Sequence, residues 1–391
     1  MIIGKHKLKL TIIATLFCTV MVVAGCGKNP ENTNESETNL QLQVSQTESK
    51  AEPQTESELQ TVASESEIPK EPVITTITIS AVGDVTLGID WKSSYENSFI
   101  EMFDLKGASY FLQNVRDIFE DDDFTIVNLE GTLTTSEDRM EKSWNHKGDP
   151  EYIEVLSCSS VEAVTLGNNH IMDYGEQGIT DTIETVNNAG ISFGMSNEYG
   201  NYLGMYETKG IKIGFVSVNE HYEEEKCYDY LKEGYEKLRE QGAQLMIACT
   251  HWGGDKTHEP EELQLAMGKQ CIDWGYDVVL GCHPHVLQGI EIYKGKYIVH
   301  SMGNFCYGGN KNPPEKDSMI WRQTFIFMDG ELSEQSDAYV IPCSLSSVQD
   351  RNDYCPIVLE GEEADSLFTR LNVFCKDFNT YVDNEGRIHS K

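Results

Sequence analysis

Val161-Glu162-Ala163-Val164-Thr165-Leu166-Gly167-Asn168-Asn169-His170 begins as an apolar run and breaks at a glycine into side chains that carry oxygen and imidazole donors. Short runs rich in β-branched residues and bounded by Gly or Asn read as strands followed by loops. The same pattern recurs on both sides. Upstream, residues 73–82 run into Gly83-Asp84, and Phe124-Thr125-Ile126-Val127 runs into Asn128-Leu129-Glu130-Gly131. Downstream, Leu245-Met246-Ile247-Ala248-Cys249 runs into Thr250-His251-Trp252-Gly253, and Asp277-Val278-Val279-Leu280 into Gly281-Cys282-His283-Pro284-His285. Helical periodicity at 110–119, 178–189, 228–241 and 261–275 fills the gaps, giving the β-α alternation of a largely parallel sheet. Ligands of such sheets gather beyond the carboxyl ends of the strands. The five polar clusters are therefore expected to meet in space, although the chain separates them widely.

Further β-rich runs follow. Residues 289–293 and 296–301 flank Lys294-Gly295, and residues 321–327 and 338–342 flank the turn Asp329-Gly330. Together they predict a second sheet packed on the first. An amphipathic pattern at 364–378 reads as a closing helix. The 391 residues suit one large α/β domain over 73–345, with a C-terminal segment over 346–391 that carries that helix.

The first part of the chain is of another kind. Lys5, Lys7 and Lys9 precede an apolar stretch over 10–23, shorter than the roughly 20 residues that span a bilayer, so residues 1–25 read as a signal peptide. Val23-Ala24-Gly25-Cys26 resembles a lipobox, which would make Cys26 the lipidated mature N-terminus, anchored at the extracellular face of the cell membrane. An uncleaved anchor and ordinary secretion are the alternatives. Residues 26–72 are mostly Ser, Thr, Glu, Gln and Asn, too poor in apolar side chains to offset the entropy of folding, and read as a disordered acidic tether.

Thirty Lys and Arg stand against 64 Asp and Glu, a net charge of −34 that disfavours nucleic acid as a partner. An anionic ligand would need local positive charge, which bound divalent cations supply. Nine of the 11 cysteines follow the tether without any CxxC spacing, so neither a disulfide framework nor a zinc ribbon is indicated. Cys249 and Cys282, inside apolar runs, read as small buried thiols.

Phosphate chemistry at a two-metal site needs hard oxygen ligands, imidazoles, one bridging ligand and a group that protonates the leaving oxygen. Asp84 and Glu130 offer carboxylates, Asn169 a neutral oxygen, His251, His283 and His285 ring nitrogens, and His170 is left as proton donor. Asn128 either supports a ligand or bonds loop backbone. Asp173, three residues past His170, either orients that imidazole or caps the next helix, with the cap slightly favoured. Lys147 is a candidate cation for phosphate or a γ-carboxylate. Asn304 sits in a Gly-Asn-Phe turn that is either structural or part of the site. His146, His221 and His258 follow no strand-end run, and His258 reads as a surface residue.

Gly83-Asp84, Asn128-Leu129-Glu130-Gly131, Gly167 to His170 continuing through Ile171-Met172-Asp173-Tyr174-Gly175, His251-Trp252-Gly253, Gly281 to Gln288, and Ser301-Met302-Gly303-Asn304-Phe305 together resemble the CapA family of poly-γ-glutamate capsule synthesis proteins, in order over residues 75–376. The resemblance implies a metallophosphoesterase-like α/β fold, a four-layer α/β/β/α sandwich with two packed mixed sheets. It also implies two divalent ions (Mn, Fe or Zn). Asp84 and His285 would hold the first, Asn169, His251 and His283 the second, and Glu130 would bridge, with His170 beside the scissile phosphate as general acid or electrostatic stabiliser. It further implies capsule or poly-γ-glutamate biosynthesis, with an anionic polymer or phosphoester as substrate and a membrane synthase as partner. A non-catalytic polymer-binding module is the alternative function. The chain departs from the wider phosphoesterase pattern at Thr86, where a metal-binding histidine is expected, and at Glu130, where an aspartate is. Within the family pattern, Cys282 replaces an expected His and His300 an expected Tyr.

Overall fold

Ile77, Ile79 and Ala81, on alternate positions of the strand Ile74–Thr86, face one apolar core, and Val82 and, beyond an irregularity in the strand, Val85 face another. This two-sided burial makes the strand the centre of the molecule. The computed structural model describes residues 71–391, the side chains of residues 334–337 excepted, and these fall in one compact unit. The expected signal peptide, the expected lipobox with Cys26 and the expected tether up to residue 70 lie outside the described residues. Among the described residues, no helix is long and apolar enough to cross a membrane.

Parallel pairing runs from Ile74–Thr86 to Phe124–Leu129, then Ala163–Thr165, then Ser192–Asn197. On its other side the first strand pairs antiparallel with Asp317–Met328, which pairs with Glu331–Ser344. A second parallel run joins Ile211–Asn219, Leu245–His251, Val278–Cys282 and Lys296–Val299. The runs touch at a single register pair, Val218 with Ser196, so the hydrogen-bonded order is continuous although two sheets result.

Burial makes the layers explicit. One core joins Ile77, Ile79 and Ile126 of the first sheet to Ile213, Ile247 and Leu280 of the second, face to face. A second core packs Val82, Val127 and Val164 against Phe99, Phe119 and Val186 of the helices Phe99–Lys106, Arg116–Glu120 and Gly175–Asn188. A third packs Val216, Met246 and Val279 against Leu231 and Met267 of Lys226–Glu240 and Glu262–Trp274. Helices, sheet, sheet and helices thus form a four-layer α/β/β/α sandwich, each strand apolar on both faces, as sheets covered on both sides require.

Two local expectations change. The helix expected over 110–119 shrinks to Arg116–Glu120 after a short 3-10 turn at Ala108–Tyr110. Here Asn114 Nδ2 donates to Pro356 O at 3.2 Å and Tyr110 Oη to Asp353 at 3.2 Å, so contacts with a distant segment accompany a break in the helical pattern. The expected later hairpins do not build a sheet of their own. Asp317–Met328 with Glu331–Ser344 extends the first sheet, and Ile290–Tyr293 with Lys296–Val299 extends the second. Both turns carry two consecutive positive φ values, 51° and 77° at Lys294-Gly295 and 51° and 83° at Asp329-Gly330, the primed turns that match strand twist.

Candidate metal centre

Asp84 lies near the carboxyl end of the central strand because the backbone there comes close to another segment. A Cβ at Gly83 would lie 1.8 Å from Gly303 O, so only glycine fits, and Asp84 N donates to that same oxygen at 2.9 Å. This contact registers Asp84 against Asn304. Glu130 follows the end of Phe124–Leu129, and His251 ends Leu245–His251. His283 and His285 follow Val278–Cys282 in a loop that holds them at φ values of 96° and 58°, sparsely populated conformations that mark functional segments.

The strand-end side chains converge. Glu130 is 1% exposed, and its Oε1 has no hydrogen-bond partner. That atom lies 3.7 Å from His285 Nε2, 3.8 Å from His251 Nε2 and 3.9 Å from His170 Nε2. His251 Nε2 stands 3.1 Å from both Asn169 Oδ1 and His283 Nδ1, and His285 Nδ1 3.3 Å from Asp84 Oδ2. Donors bound at 2.0–2.2 Å to one tetrahedral ion lie about 3.3–3.6 Å apart, a range that the spacings here, from 3.1 to 3.9 Å, bracket. Donor atoms of Glu130, His283 and His285 all fall within 4.8 Å of one another.

Electrostatics divide the imidazoles of the cluster. Burial, helped by neighbouring imidazoles, pushes His251 down and His283 to about 2, which keeps both rings in the neutral form that binds metals. Burial pushes the Glu130 carboxyl up, and the neighbouring His285 offsets only part of that push. For His285, burial opposes the charged ring, but the Glu130 and Asp84 carboxylates outweigh it and push the group up. An uncompensated buried carboxylate costs several kcal/mol, and a divalent cation would remove that cost. Carboxylate, amide and imidazole donors are the set that Mn, Fe or Zn accept.

Supporting contacts clarify the remaining candidates. Asn128 Nδ2 donates to Asp84 Oδ1 at 2.7 Å while its Oδ1 accepts from Thr165 Oγ1, so it orients a carboxylate and not loop backbone. Asn304 grips His285 twice, accepting from Nδ1 at 2.9 Å and donating to the His285 carbonyl at 3.1 Å. Asp173 is not a helix cap, contrary to the slight preference above. Its carboxylate accepts from His170 Nδ1 at 2.6 Å, His146 N at 2.5 Å and Lys142 Nζ at 2.6 Å, while the helix it precedes has no side-chain cap. Lys147 is held elsewhere: its ammonium bonds Glu137 at 2.7 Å and Ser136 O at 2.9 Å, and it does not line the cavity. Thr86 contributes only a long hydroxyl contact to Glu130, 3.4 Å. Cys282 is buried, and burial pushes its thiol up, the behaviour of an inert structural cysteine.

A cavity of about 380 Å³ opens over this cluster, lined among others by Asn169, His170, His283, His285 and Asn304. Its walls also hold His146, whose ring stacks on His170 at 4.0 Å; His221, two residues past the strand Ile211–Asn219 and 3.9 Å from His283; and Tyr307, 5.2 Å from His285. Lys142, outside the cavity lining, bonds Asn169 O at 2.8 Å and so braces the loop that carries it. His258 instead bonds Leu287 O and Glu315 and stacks on Phe374, a structural role.

Comparison with known proteins adds to this geometry. Residues 78–308 match the family model described as bacterial capsule synthesis protein PGA_cap. The capsule biosynthesis protein CapA of Bacillus anthracis is 26% identical over 253 residues, covering 59% of this chain and 60% of that one. The PGA biosynthesis protein CapA of Bacillus subtilis (strain 168) is 26% identical over 265 residues, 63% of this chain and 67% of that one. A probable polyglutamine synthesis accessory protein of Mycobacterium tuberculosis is 25% identical over 210 residues, 46% of this chain and 55% of that one. The chain thus spans between 55% and 67% of the length of these relatives. Since the family model matches more than half of its residues, the chain belongs to the bacterial capsule synthesis protein PGA_cap family.

Proposed function

We propose that the chain is a membrane-anchored accessory of anionic-polymer assembly at the cell surface, of the poly-γ-glutamate type, whose cavity hydrolyses a phosphoester-type bond with bound divalent cations. The names of the relatives support the polymer, and the lysine-led apolar stretch ending in Val23-Ala24-Gly25-Cys26 supports the anchor. The hydrolytic part is carried by one observation: a buried, unpartnered Glu130 oxygen within 3.9 Å of three imidazole nitrogens.

In this reading Asp84, Glu130, Asn169, His251, His283 and His285 hold one or two ions. Such ions supply Lewis-acid polarisation of the substrate and acidify water. The chain's own residues do the rest. Asn128 and Asn304 fix Asp84 and His285 in place. His170, tied through Nδ1 to Asp173, turns Nε2 toward the cluster and moves a proton there, with the carboxylate stabilising the charged ring.

The test is metal content and turnover measured together. Wild-type protein should retain manganese and hydrolyse bis(p-nitrophenyl) phosphate in a manganese-dependent way, and Glu130→Gln and His283→Ala should lose both. Wild-type protein that retains no divalent metal refutes the hydrolytic reading. A second reading, a polymer-binding module without turnover, is favoured by Thr86, which gives the first metal no imidazole. Retention of poly-γ-glutamate by the protein without any hydrolysis distinguishes it.

A further inference from the structure

His146 is 3% exposed, lines the cavity, and has a buried ring nitrogen, Nδ1, without a hydrogen-bond partner. Leaving such an atom unsatisfied is costly, and native structures do so mostly where a ligand or water completes it. The ring is not there by accident of packing. It sits in a slot made by two glycines: a Cβ at Gly131 would lie 3.2 Å from His146 Cβ, and one at Gly309 would lie 2.9 Å from Cε1. Its plane lies 12° from that of His170, with centroids 4.0 Å apart.

The segment that carries it is fastened to the same carboxylate residue as His170. Asp173 accepts His146 N and Lys142 Nζ on its carboxylate, and Met140 N and Asn145 Nδ2 on its carbonyl. Five bonds, counting the one from His170 Nδ1, therefore converge on Asp173 and set the two imidazoles side by side. Burial, then the neighbouring His170, push His146 down, so the ring is neutral and has one donor and one acceptor nitrogen. Neither Asp173 nor His170 bonds the His146 ring, and its Nδ1 has no protein partner.

We propose that His146 is a substrate-contacting residue that hydrogen-bonds an oxygen of the tetrahedral phosphoryl anion held over the metal cluster, beside His170. The inference rests on the hydrolytic reading above and adds a specific contact to it. Metal ligation stays with the six residues named above; the ring of His146 stacks on His170, which is not one of them.

Calorimetric titration of inorganic phosphate into the manganese-loaded full chain tests it. His146→Phe keeps the stacked ring and removes both nitrogens, and His146→Asn and His146→Gln each restore one hydrogen-bonding position. His146→Phe should weaken phosphate binding roughly tenfold to a hundredfold, the range for a hydrogen bond to a charged group, with manganese content unchanged. One of the two amides should recover most of the loss. Phosphate affinity within twofold of wild type in all three variants overturns the proposal, as does loss of manganese in any of them, which would make His146 a ligand. If His146→Phe fails to fold, the difference between the amide variants decides the matter, and equal affinities overturn it. Failure of the underlying reading looks different, because wild-type protein would then bind no manganese at all.

Discussion

Replacing Gly83 by alanine should damage the metal centre without altering any ligand. The added Cβ would meet Gly303 O at 1.8 Å, Gly303 C at 2.9 Å and Met302 C at 3.1 Å, and all three are backbone atoms that no rotamer change can move aside. Restoring ordinary contact of about 3.4 Å would shift one segment by roughly 1.5 Å and break the Asp84 N to Gly303 O bond. Overpacking of this kind costs about 1–3 kcal/mol and the lost hydrogen bond about 1 kcal/mol more, so destabilisation of ~3 kcal/mol is expected. At roughly 2–4 °C per kcal/mol for large domains, melting should fall by ~5–10 °C. Metal sites tolerate ligand errors of only about 0.2 Å, and Asp84 is the residue next to the collision, so manganese affinity should fall at least about tenfold. Scanning calorimetry of metal-free protein reads the first effect and manganese titration the second. A Gly83→Ala protein that binds manganese as wild type does would refute the claim that this backbone contact positions Asp84.

Two further outcomes are expected. Asp173→Asn should lower turnover of the phosphodiester by roughly 10–100-fold while manganese stays bound, because it disturbs His170 and His146 but no ligand, whereas Lys147→Ala should change turnover less than twofold. The third concerns pH. Burial pushes Glu162 up to about 7 from an ordinary 4.5, so the folded state binds a proton that the unfolded state has released between those values. Its unfavourable contribution is absent below pH 4.5, grows as pH rises and is complete above about pH 7. Glu162→Gln should therefore gain ~1–2 kcal/mol over wild type at pH 8 and nothing at pH 4, an estimate reduced for the partial exposure of the group. Urea titrations at the two pH values check it, and an equal effect at both would contradict the assignment.

The convergence of the candidate ligands was legible because most of them follow an apolar strand, and strand ends of α/β sheets share one rim. Glu130, His251 and His283 needed only that rule. His146 escaped it because it opens the short strand His146–Gly148, whose place depends on Asp173, whereas His221 lies in the helix Glu220–Glu223 just past the strand Ile211–Asn219, a strand end whose Glu220-His221 pair carries the same signal. Asp173 itself was ambiguous, since three residues past a histidine and just before a helix is equally a capping position. Its contacts decide it: His170, His146 and Lys142 converge on the carboxylate, and none of the helix amides does. The helix expected over 110–119 was legible as amphipathic but not as interrupted, because the partners of Asn114 and Tyr110 lie more than two hundred residues away.

The single register pair between the two sheets gives the cluster a mechanical meaning. Asp84, Glu130 and Asn169 belong to the half built on the central strand, and His251, His283 and His285 to the other half. An ion gripped from both sides would rivet two slabs that the backbone itself stitches at one seam. Cation affinity and the docking of the slabs then become one linked equilibrium, so tightening the apolar filling between them should strengthen ion capture from a distance.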